Sequence, residues 1–278
     1  MLRMYRLRLI IQLISCGLMN PRVGNFLTGK IYRGDLKNFC TPGLNCYSCP
    51  AAIFVCPIGA LQAVGGAANF KFSFYVAGFL LLVGVFLGRA ICGFMCPFGL
   101  FQELLYKIPV PKLKLWRPLI YVKYFVLIIF VLILPATLTN YAGTGAPFFC
   151  EYVCPAGTLE AGLPLILTHA EFRNILGELF TLKVSILILT ITGSLTVYRF
   201  FCRVLCPLGA IYGLLNRYSI YSLKFDEKLC TNCGRCSKIC KMNVAPNSQK
   251  ISAECIYCGE CEKVCPSGAI KINFGGKN

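Results

Sequence analysis

The sequence predicts a membrane α-helical fold, with about four transmembrane helices in two direct repeats with half-helices, followed by a small α+β domain. The first observation is the composition: 56% of the 278 residues are apolar and the mean hydropathy is +0.66, well above that of an ordinary soluble chain. The second is a Cys-x3-Cys-Pro-x-Gly unit that recurs along the chain. The third is a change to polar composition beyond Tyr221. We therefore expect two domains, residues 1–221 and 222–278.

The net charge of +17 comes from 28 lysines and arginines against 11 acidic residues. Nucleic-acid binding is one explanation for so basic a chain, but cations spread among apolar spans are typical of the cytoplasmic face of a membrane protein. We therefore expect membrane lipid, and no nucleic acid, as a partner. The sequence contains no phosphate-binding loop, dinucleotide fingerprint or nucleophile triad, so it predicts no catalytic residue.

Apolar segments predict the spans in chain order. Residues 7–19 are too few to cross a bilayer, which takes about 20 residues, unless residues 23–27 are included. The clear spans are residues 72–87, 119–138 and 183–198. Half-helices are expected at residues 58–64 and 159–167. Residues 98–108 predict an amphipathic interfacial helix with Glu103 and Lys107 on its polar side.

The distribution of positive charge predicts the topology. Residues 1–8, 89–117 and 199–278 together contain 20 lysines and arginines, whereas residues 20–71 and 137–183 contain 7. The richer side is the cytoplasm by the positive-inside rule. This places the C-terminal domain on the cytoplasmic side of a prokaryotic plasma membrane. Each half of the chain then contains, in order, outer cysteines, a span, inner cysteines and an amphipathic helix. This order predicts a direct repeat about an axis along the membrane normal.

The repeated unit offers soft metal ligands at the start of a helix. Two thiols one helical turn apart point the same way, and the proline after the second suits the first position of a helix. A helix N-terminus carries about +0.5 charge and unpaired N–H groups, so it favours thiolates and a net-negative cluster. The copies are Cys92/Cys96-Pro97, Cys150/Cys154-Pro155 and Cys202/Cys206-Pro207, and Cys56-Pro57 repeats the second half.

The most specific pattern lies in the C-terminal domain. It reads Cys230-x2-Cys233-x2-Cys236-x3-Cys240 and then Cys255-x2-Cys258-x2-Cys261-x3-Cys265-Pro266. Residues 222–274 resemble the bacterial two-cluster ferredoxins, in which the fourth cysteine of each run binds the other cluster. The resemblance implies one 4Fe–4S cluster on Cys230, Cys233, Cys236 and Cys265, and a second on Cys255, Cys258, Cys261 and Cys240. A zinc module is the alternative, but eight evenly spaced thiols without histidine fit it poorly.

Residues 5–274 as a whole resemble a family of four-span polyferredoxin membrane proteins, most clearly in Gly88-Arg89-x2-Cys92 and in the unit around Cys202. That family includes the quinol-dehydrogenase membrane subunit of periplasmic nitrate reductase and the membrane region of the nitrous-oxide reductase regulatory flavoprotein. The inner cysteines are the number that one cubane cluster requires: Cys92, Cys96, Cys202 and Cys206. The alternative is buried thiols without a ligand role.

Three arginines near these inner cysteines, Arg89, Arg199 and Arg203, have two interpretations. They are either flanks set by the positive-inside rule or cations that would raise the potential of a cluster.

The outer cysteines also have two interpretations. Six thiols on an oxidising face could form three disulfides. We favour a further cluster, because both outer Cys-Pro-x-Gly halves copy the inner unit and disulfides do not need a helix that starts with proline. The expected ligands are Cys49, Cys56, Cys150 and Cys154, with Cys40 and Cys46 as additional candidates.

The expected function follows from these sites. His169 is the only histidine, so a bis-histidine haem is not expected. We expect a membrane electron-transfer subunit of an oxidoreductase complex, which passes electrons between a cytoplasmic redox partner and an extracytoplasmic one. The alternatives are a quinol dehydrogenase subunit, with membrane quinone as a partner, and a reductase of metal ions or of an extracytoplasmic flavoprotein.

Overall fold

The computed structural model describes residues 2–65, 71–138, 146–169, 171, 177–247 and 252–275. This described part is mostly helical, and its one sheet has two strands. Residues 139–145, 170 and 172–176, which belong to the long connection expected before the fourth span, lie outside the described residues.

Among its described residues, the first half of the chain contains six helices and a 3-10 turn at Asp35–Asn38. Helix α1 ends at Met19, so residues 23–27 do not lengthen it. The helices are α1 (Leu2–Met19), α2 (Asn25–Thr28), α3 (Pro57–Gly65), α4 (Lys71–Leu87), α5 (Ala90–Phe94) and α6 (Pro97–Tyr106).

The second half begins with one long helix that changes its winding. It runs through a 3-10 turn at Arg117–Tyr121, α7 (Val122–Val126), a π segment at Leu127–Ile133 and α8 (Leu134–Thr137). A π segment at Phe149–Val153 ends at Cys154, whose backbone is extended. A second mixed helix then combines α9 (Pro155–Gly157), a π segment at Thr158–Gly162 and α10 (Leu163–Thr168). The remaining helices of this half are α11 (Glu178–Thr196), α12 (Phe200–Val204) and α13 (Pro207–Leu215).

Two of the π segments end two residues before a proline within a helix, Pro135 in α8 and Pro164 in α10. Proline has no N–H to donate, and its ring collides with the carbonyl four residues earlier. A wider turn moves that carbonyl aside, so the helix continues through the proline instead of ending.

Two helices of the described chain are long and apolar enough to cross a membrane, judged by length and composition. They are Arg117–Thr137, with mean hydropathy 2.5, and Glu178–Thr196, with mean hydropathy 1.7. They correspond to the predicted third and fourth spans. The first and second predicted spans occur as shorter apolar helices, Leu7–Met19 and Phe74–Leu87, so the number of spans stays a prediction.

Two successive groups of three helices have the same layout. Helices α4, α5 and α6 have 17, 5 and 10 residues, and α11, α12 and α13 have 19, 5 and 9. Cys96 and Cys206 cap the last helix of each group with nearly the same backbone angles, φ −78° and ψ 117° against φ −73° and ψ 114°.

The C-terminal region is a small α+β unit. Strand β1 (Tyr221–Phe225) pairs antiparallel with β2 (Ile270–Phe274), so that Tyr221 faces Phe274 and Phe225 faces Ile270. Helices α14 (Arg235–Ile239) and α15 (Glu260–Val264) lie between the strands in sequence and pack against each other.

The largest apolar core contains cysteines from both halves of the chain. Side chains of α3, α6, α12 and α13 pack around it, including Ile58, Phe98, Phe201 and Leu208, each at most 1% exposed. The buried cysteines of this core are Cys40, Cys56, Cys92, Cys96, Cys154 and Cys206. These thiols therefore lie inside the fold rather than on its surface.

Candidate metal centres

The eight C-terminal cysteines surround two small cavities, four to each. Cys230, Cys233, Cys236 and Cys265 line the first, and Cys240, Cys255, Cys258 and Cys261 line the second. The fourth cysteine of each run thus faces the cavity of the other run. This grouping is the one that the resemblance to two-cluster ferredoxins implies, and the assignment of ligands stays a prediction.

The two loops curl around their cavities by the same backbone device. Asn232 and Gly234 in the first run, and Tyr257 and Gly259 in the second, all have φ between 51° and 78°. Left-handed residues turn the chain sharply, so that three thiols of a run converge before the short helix begins. Glycine adopts this conformation freely, whereas for Tyr257 it costs about 1 kcal/mol.

The two C-terminal groups differ in exposure. Cys233 is exposed, and the N–H of Arg235 lowers the pKa of its thiol. Burial raises the pKa of the Cys255 and Cys261 thiols to about 12. The first group is therefore the one that faces solvent.

The four inner thiols are buried next to one another, each 4–5% exposed. Burial raises the pKa of Cys96 and Cys206, and the other inner thiols are close enough to add to the shift. At each helix start the N–H of Gly99 or Gly209 donates to the cysteine Sγ at 3.4 Å. The site draws one pair of thiols from each half of the chain, as the direct repeat predicts.

Arg89 and Arg199 connect the two halves crosswise. Arg89 Nη2 donates to the carbonyl oxygen of Cys202 at 3.0 Å, and Arg199 Nη1 donates to the carbonyl oxygen of Cys92. Both side chains are 0% exposed, and Arg203 is 2% exposed. All three arginines are therefore buried beside the inner thiols, and their effect on the potential of a cluster stays a prediction.

Two buried carboxylates pair with the cations around the inner site. Glu103 binds Arg8 at 2.7 Å and also binds Arg199. Burial opposes ionisation of Glu103, but the two arginines outweigh it and lower its pKa. Glu103 is 5% exposed, so its predicted place on the polar side of an interfacial helix is wrong. The reason is that these arginines compensate its charge inside the fold.

The second carboxylate comes from the C-terminal region. Glu254 binds Arg89 at 2.8 Å and also binds Lys123, which lies in the helix Arg117–Thr137. Lys123, a charged residue within an apolar helix, therefore has a carboxylate partner inside the protein. Five cations and two carboxylates then surround the inner thiols, namely Arg8, Arg89, Lys123, Arg199 and Arg203 with Glu103 and Glu254.

A larger cavity, of about 660 Å³, lies among the outer cysteines. Four of them line it: Cys46, Cys56, Cys150 and Cys154. Of the other predicted outer ligands, Cys49 packs with Ala51 and Ala52, and Cys40 forms a β-bridge with Val55. The structure therefore brings Cys46 to the cavity in place of Cys49.

The donor sets fit 4Fe–4S clusters. Each of the four groups offers four thiols, and each iron of a cubane takes one. Within the described ranges, no three His, Cys, Asp or Glu side chains lie close enough to hold one metal ion. Thiols spread around a cavity suit a four-iron cluster better than a zinc ion, which draws its ligands to a single centre. None of the nineteen cysteines forms a disulfide in the structure.

The sequence matches known iron–sulfur domains. A family model described as a 4Fe-4S binding domain matches residues 72–115, 122–163 and 180–226, and a second model with that description matches residues 249–271. The first three segments contain Cys92/Cys96, Cys150/Cys154 and Cys202/Cys206 in turn. No solved structure matches the chain.

Three relatives extend this finding. MJ0749 of Methanocaldococcus jannaschii is 30% identical over 201 residues, which cover 69% of this chain and 67% of that protein. YccM of Escherichia coli, whose name describes an electron transport protein, is 25% identical over 69% of this chain and 56% of its own length. MauN of Paracoccus denitrificans, a methylamine utilization ferredoxin-type protein, is 32% identical over 58% of this chain and 50% of its own length.

The segments that match the family models contain the inner cysteines, one pair of outer cysteines and the second C-terminal run. The match to the relative from Methanocaldococcus covers two thirds of that protein. The chain therefore belongs to the family of 4Fe-4S binding domain proteins and is an iron–sulfur electron-transport protein.

Proposed function

We propose that this chain carries electrons across a membrane, between a cytoplasmic redox partner and an extracytoplasmic one, along four 4Fe–4S clusters. A 4Fe–4S cluster takes up and releases a single electron, which is the chemistry that the cysteines would hold in place. The observation that carries the proposal is the order of the four cysteine groups. Each is joined to the next by a short segment of the protein.

The solvent-facing end of the series is the group that contains exposed Cys233. This group shares chain segments with the second C-terminal group. Cys265, from the second run, lines the first cavity, and Cys240, from the first run, lines the second. A soluble partner can approach Cys233 directly. We therefore assign the cytoplasmic partner to this end.

The second C-terminal group lies against the inner site. Asn216 Nδ2 donates to the carbonyl oxygens of Ser252 at 2.9 Å and Cys255 at 3.0 Å. A Cβ built on Gly93 would lie 2.8 Å from the carbonyl oxygen of Ile256. Only glycine allows this approach, so α5, which bears Cys92, is in direct backbone contact with the loop that bears Cys255.

The loop before the outer cysteines reaches the inner site. A Cβ built on Gly43 would lie 2.9 Å from the Cα of Cys96, and Tyr212 Oη donates to the carbonyl oxygen of Pro42 at 3.0 Å. Three residues after Gly43, Cys46 lines the outer cavity. The inner and outer groups are thus separated by one short loop and not by the length of a membrane helix.

The membrane placement rests on length, composition and charge. The two membrane-length helices and the apolar helices Leu7–Met19 and Phe74–Leu87 supply four spans in the proposed topology. Helix α4, with 17 residues, is about 25 Å long, close to the hydrocarbon thickness of a bilayer. The excess of cations in residues 1–8, 89–117 and 199–278 orients the C-terminal domain toward the cytoplasm.

The relatives support electron transport as the role. The name of YccM describes electron transport and that of MauN a ferredoxin-type protein. The repeated units also resemble the quinol-dehydrogenase membrane subunit of periplasmic nitrate reductase and the membrane region of the nitrous-oxide reductase regulatory flavoprotein. We infer a place in an oxidoreductase complex of the prokaryotic plasma membrane, where the acceptor or donor on the outer side is another redox subunit.

Proteoliposomes test the proposal. The protein is inserted with residues 222–278 facing outward, dithionite is added outside, and an impermeant acceptor such as ferricyanide is enclosed inside. We expect the enclosed acceptor to be reduced only when the protein is present. The Cys206→Ser variant is the control, because it removes the inner group and leaves both C-terminal groups intact. Reduction of the C-terminal clusters without reduction of the acceptor would contradict the proposal.

A quinol dehydrogenase subunit is the second candidate, and the outer cavity favours it. Its volume of about 660 Å³ lies within the range of about 300–1,000 Å³ typical of small-molecule sites. A membrane quinol would then meet the clusters from the lipid side. Reduction of the clusters by added quinol, without dithionite, would favour this candidate.

A further inference from the structure

Two glutamines occupy the same place in the repeated unit. Gln62 follows Cys56 by six residues, and Gln102 follows Cys96 by six residues. Each is 0% exposed. Gln62 Nε2 donates to Cys150 Sγ at 3.2 Å, and Gln102 Nε2 donates to a thiol of the inner site, Cys202 Sγ, at 3.0 Å. One glutamine therefore belongs to the outer site and the other to the inner site.

The other amide contacts of the two glutamines also correspond. Gln62 Oε1 accepts from the N–H of Phe149 at 2.8 Å, and Gln102 Oε1 accepts from the N–H of Phe201 at 3.0 Å. Each phenylalanine directly precedes the cysteine whose thiol accepts from the same glutamine. The arrangement of the Cys56 segment against the Cys150 unit is therefore the same as that of the Cys96 segment against the Cys202 unit.

The cysteine turns of the two sites also close in the same way. The N–H of Cys154 donates to the carbonyl oxygen of Phe149 at 2.8 Å, and the N–H of Cys206 donates to that of Phe201 at 3.0 Å. Both bonds span five residues. Three outer thiols therefore have counterparts among the inner ones: Cys56 for Cys96, Cys150 for Cys202 and Cys154 for Cys206.

The fourth inner thiol has no counterpart in the repeat. Cys92 lies four residues before Cys96, and the residue four before Cys56 is Ala52, which has no metal-binding group. A cubane at the outer site therefore needs a fourth thiol from another segment. The segment before Ala52 offers three, Cys40, Cys46 and Cys49, and Cys40 does not line the outer cavity.

Two contacts hold Cys46 at the site. A Cβ built on Gly157, in the helix that Cys154 caps, would lie 3.5 Å from Cys46 Sγ. The N–H of Cys46 donates to Glu160 Oε2 at 2.6 Å, and Glu160 follows Cys154 by six residues. Cys49 does not line the cavity.

We propose that the outer site is a second cluster site built on the plan of the inner one, with Cys46, Cys56, Cys150 and Cys154 as the ligands of a 4Fe–4S cluster. The inference rests on the proposed function, since it names the ligands of its outermost cluster. Gln62 is a positioning residue here, because its N–H donates to a thiolate, which can only accept. Cys49 is then a thiol that does not bind the cluster.

Iron and acid-labile sulfide per chain, in anaerobically purified full-length protein, test this ligand set. The unsubstituted chain should contain about 16 iron atoms, four for each of four clusters. Cys46→Ser should lose about four of them, whereas Cys49→Ser should keep them all. Cys16→Ser is the matched control, since this cysteine lies on α1 and lines no cysteine cavity.

The outcomes separate the inference from the proposed function. If Cys49→Ser loses the iron and Cys46→Ser keeps it, the ligand set is overturned and the four-cluster series stands. If the unsubstituted chain holds about 12 iron atoms and neither variant loses any, both the ligand set and the four-cluster series are overturned. A disulfide between any two of the four proposed ligands, found by mass spectrometry of the purified protein, would also overturn the ligand set.

A second variant covers the case in which Cys46→Ser does not fold. Gln62→Ala leaves all cysteines in place and should alter the electron paramagnetic resonance signal of one cluster only. The signals of the two C-terminal clusters serve as the internal standard. If Gln62→Ala leaves every signal unchanged, the glutamine has no role at a cluster and the correspondence with Gln102 is overturned.

Discussion

The inner and outer cysteine sites have a common scaffold and a different charge. Arg89 and Arg199 lie three residues before the first cysteine of each inner unit, and both are fully buried. The corresponding positions of the outer site hold Cys49 and Pro147, which carry no positive charge. The crosswise arginine contacts that join the two halves at the inner site therefore have no equivalent at the outer one.

The outer site also has a carboxylate where the inner site has a phenol. Glu160 and Tyr212 each follow the capping cysteine of their unit by six residues. Burial raises the pKa of Glu160 to about 7, and the cations of this site, Lys37 and Lys183, are only partly buried on the cavity wall. A cluster becomes more negative on reduction, so buried cations stabilise its reduced form. One scaffold can therefore hold clusters of different potential, and we expect the inner cluster to have the higher potential.

The largest expected effect is loss of one cluster. Cys206→Ser should remove about four iron atoms, those of the inner cluster, because a cubane needs all four thiolates. Cys154→Ser should remove a similar number from the outer site and leave the inner one intact. Iron analysis with electron paramagnetic resonance distinguishes the two variants. Loss of both membrane-domain clusters in either variant would show that the sites do not form independently.

The next effect is on stability. Arg89→Gln should lower the free energy of unfolding by about 3–5 kcal/mol, because it removes one of two cations that compensate buried Glu254. The double variant Arg89→Gln with Glu254→Gln is the control and should recover part of the loss. At the outer site, Glu160→Gln keeps an acceptor for the N–H of Cys46 and should cost about 1 kcal/mol or less.

Thermal unfolding of the anaerobic protein in detergent measures these differences. Equal losses for Arg89→Gln and Glu160→Gln would contradict the contrast between the two sites, since only the inner variant removes one of the two cations that compensate a buried carboxylate.

The smallest expected effect is a shift in potential. Arg199→Gln should lower the potential of the inner cluster by tens of millivolts and leave the outer cluster unchanged, because the lost cation stabilises the reduced form. Glu160→Gln should shift the outer cluster in the opposite direction. Redox titration followed by electron paramagnetic resonance checks both. An unchanged inner potential in Arg199→Gln would mean that the arginine acts only by connecting the two halves.

Local sequence predicted much of the scaffold. Four of the six Cys-Pro steps begin helices, at Pro57, Pro97, Pro155 and Pro207, where proline takes the first helical position. The other two prolines, Pro50 and Pro266, lie in turns. The hydropathy of residues 119–138 and 183–198 likewise predicted two long helices. The grouping of the C-terminal cysteines around two cavities matches the expectation from the ferredoxin resemblance.

Side-chain partners across the fold were harder to predict. Glu103 has the spacing of a polar helix face, and only the distant Arg199 and Arg8 explain its burial. Cys46 and Cys49 lie in one short loop without periodicity, so spacing cannot choose between them. Gln62 and Gln102 did carry a signal in the sequence, since extending the repeated unit by three residues beyond its glycine aligns them.

The contact of Gly43 with Cys96 has a consequence for how the protein is made. The inner thiols are closed in on one side by the loop that contains Gly43 and on the other by the segment that contains Ile256, and those segments are far apart in sequence. We therefore expect iron and sulfide to be delivered to the inner site during biogenesis, before the C-terminal domain docks.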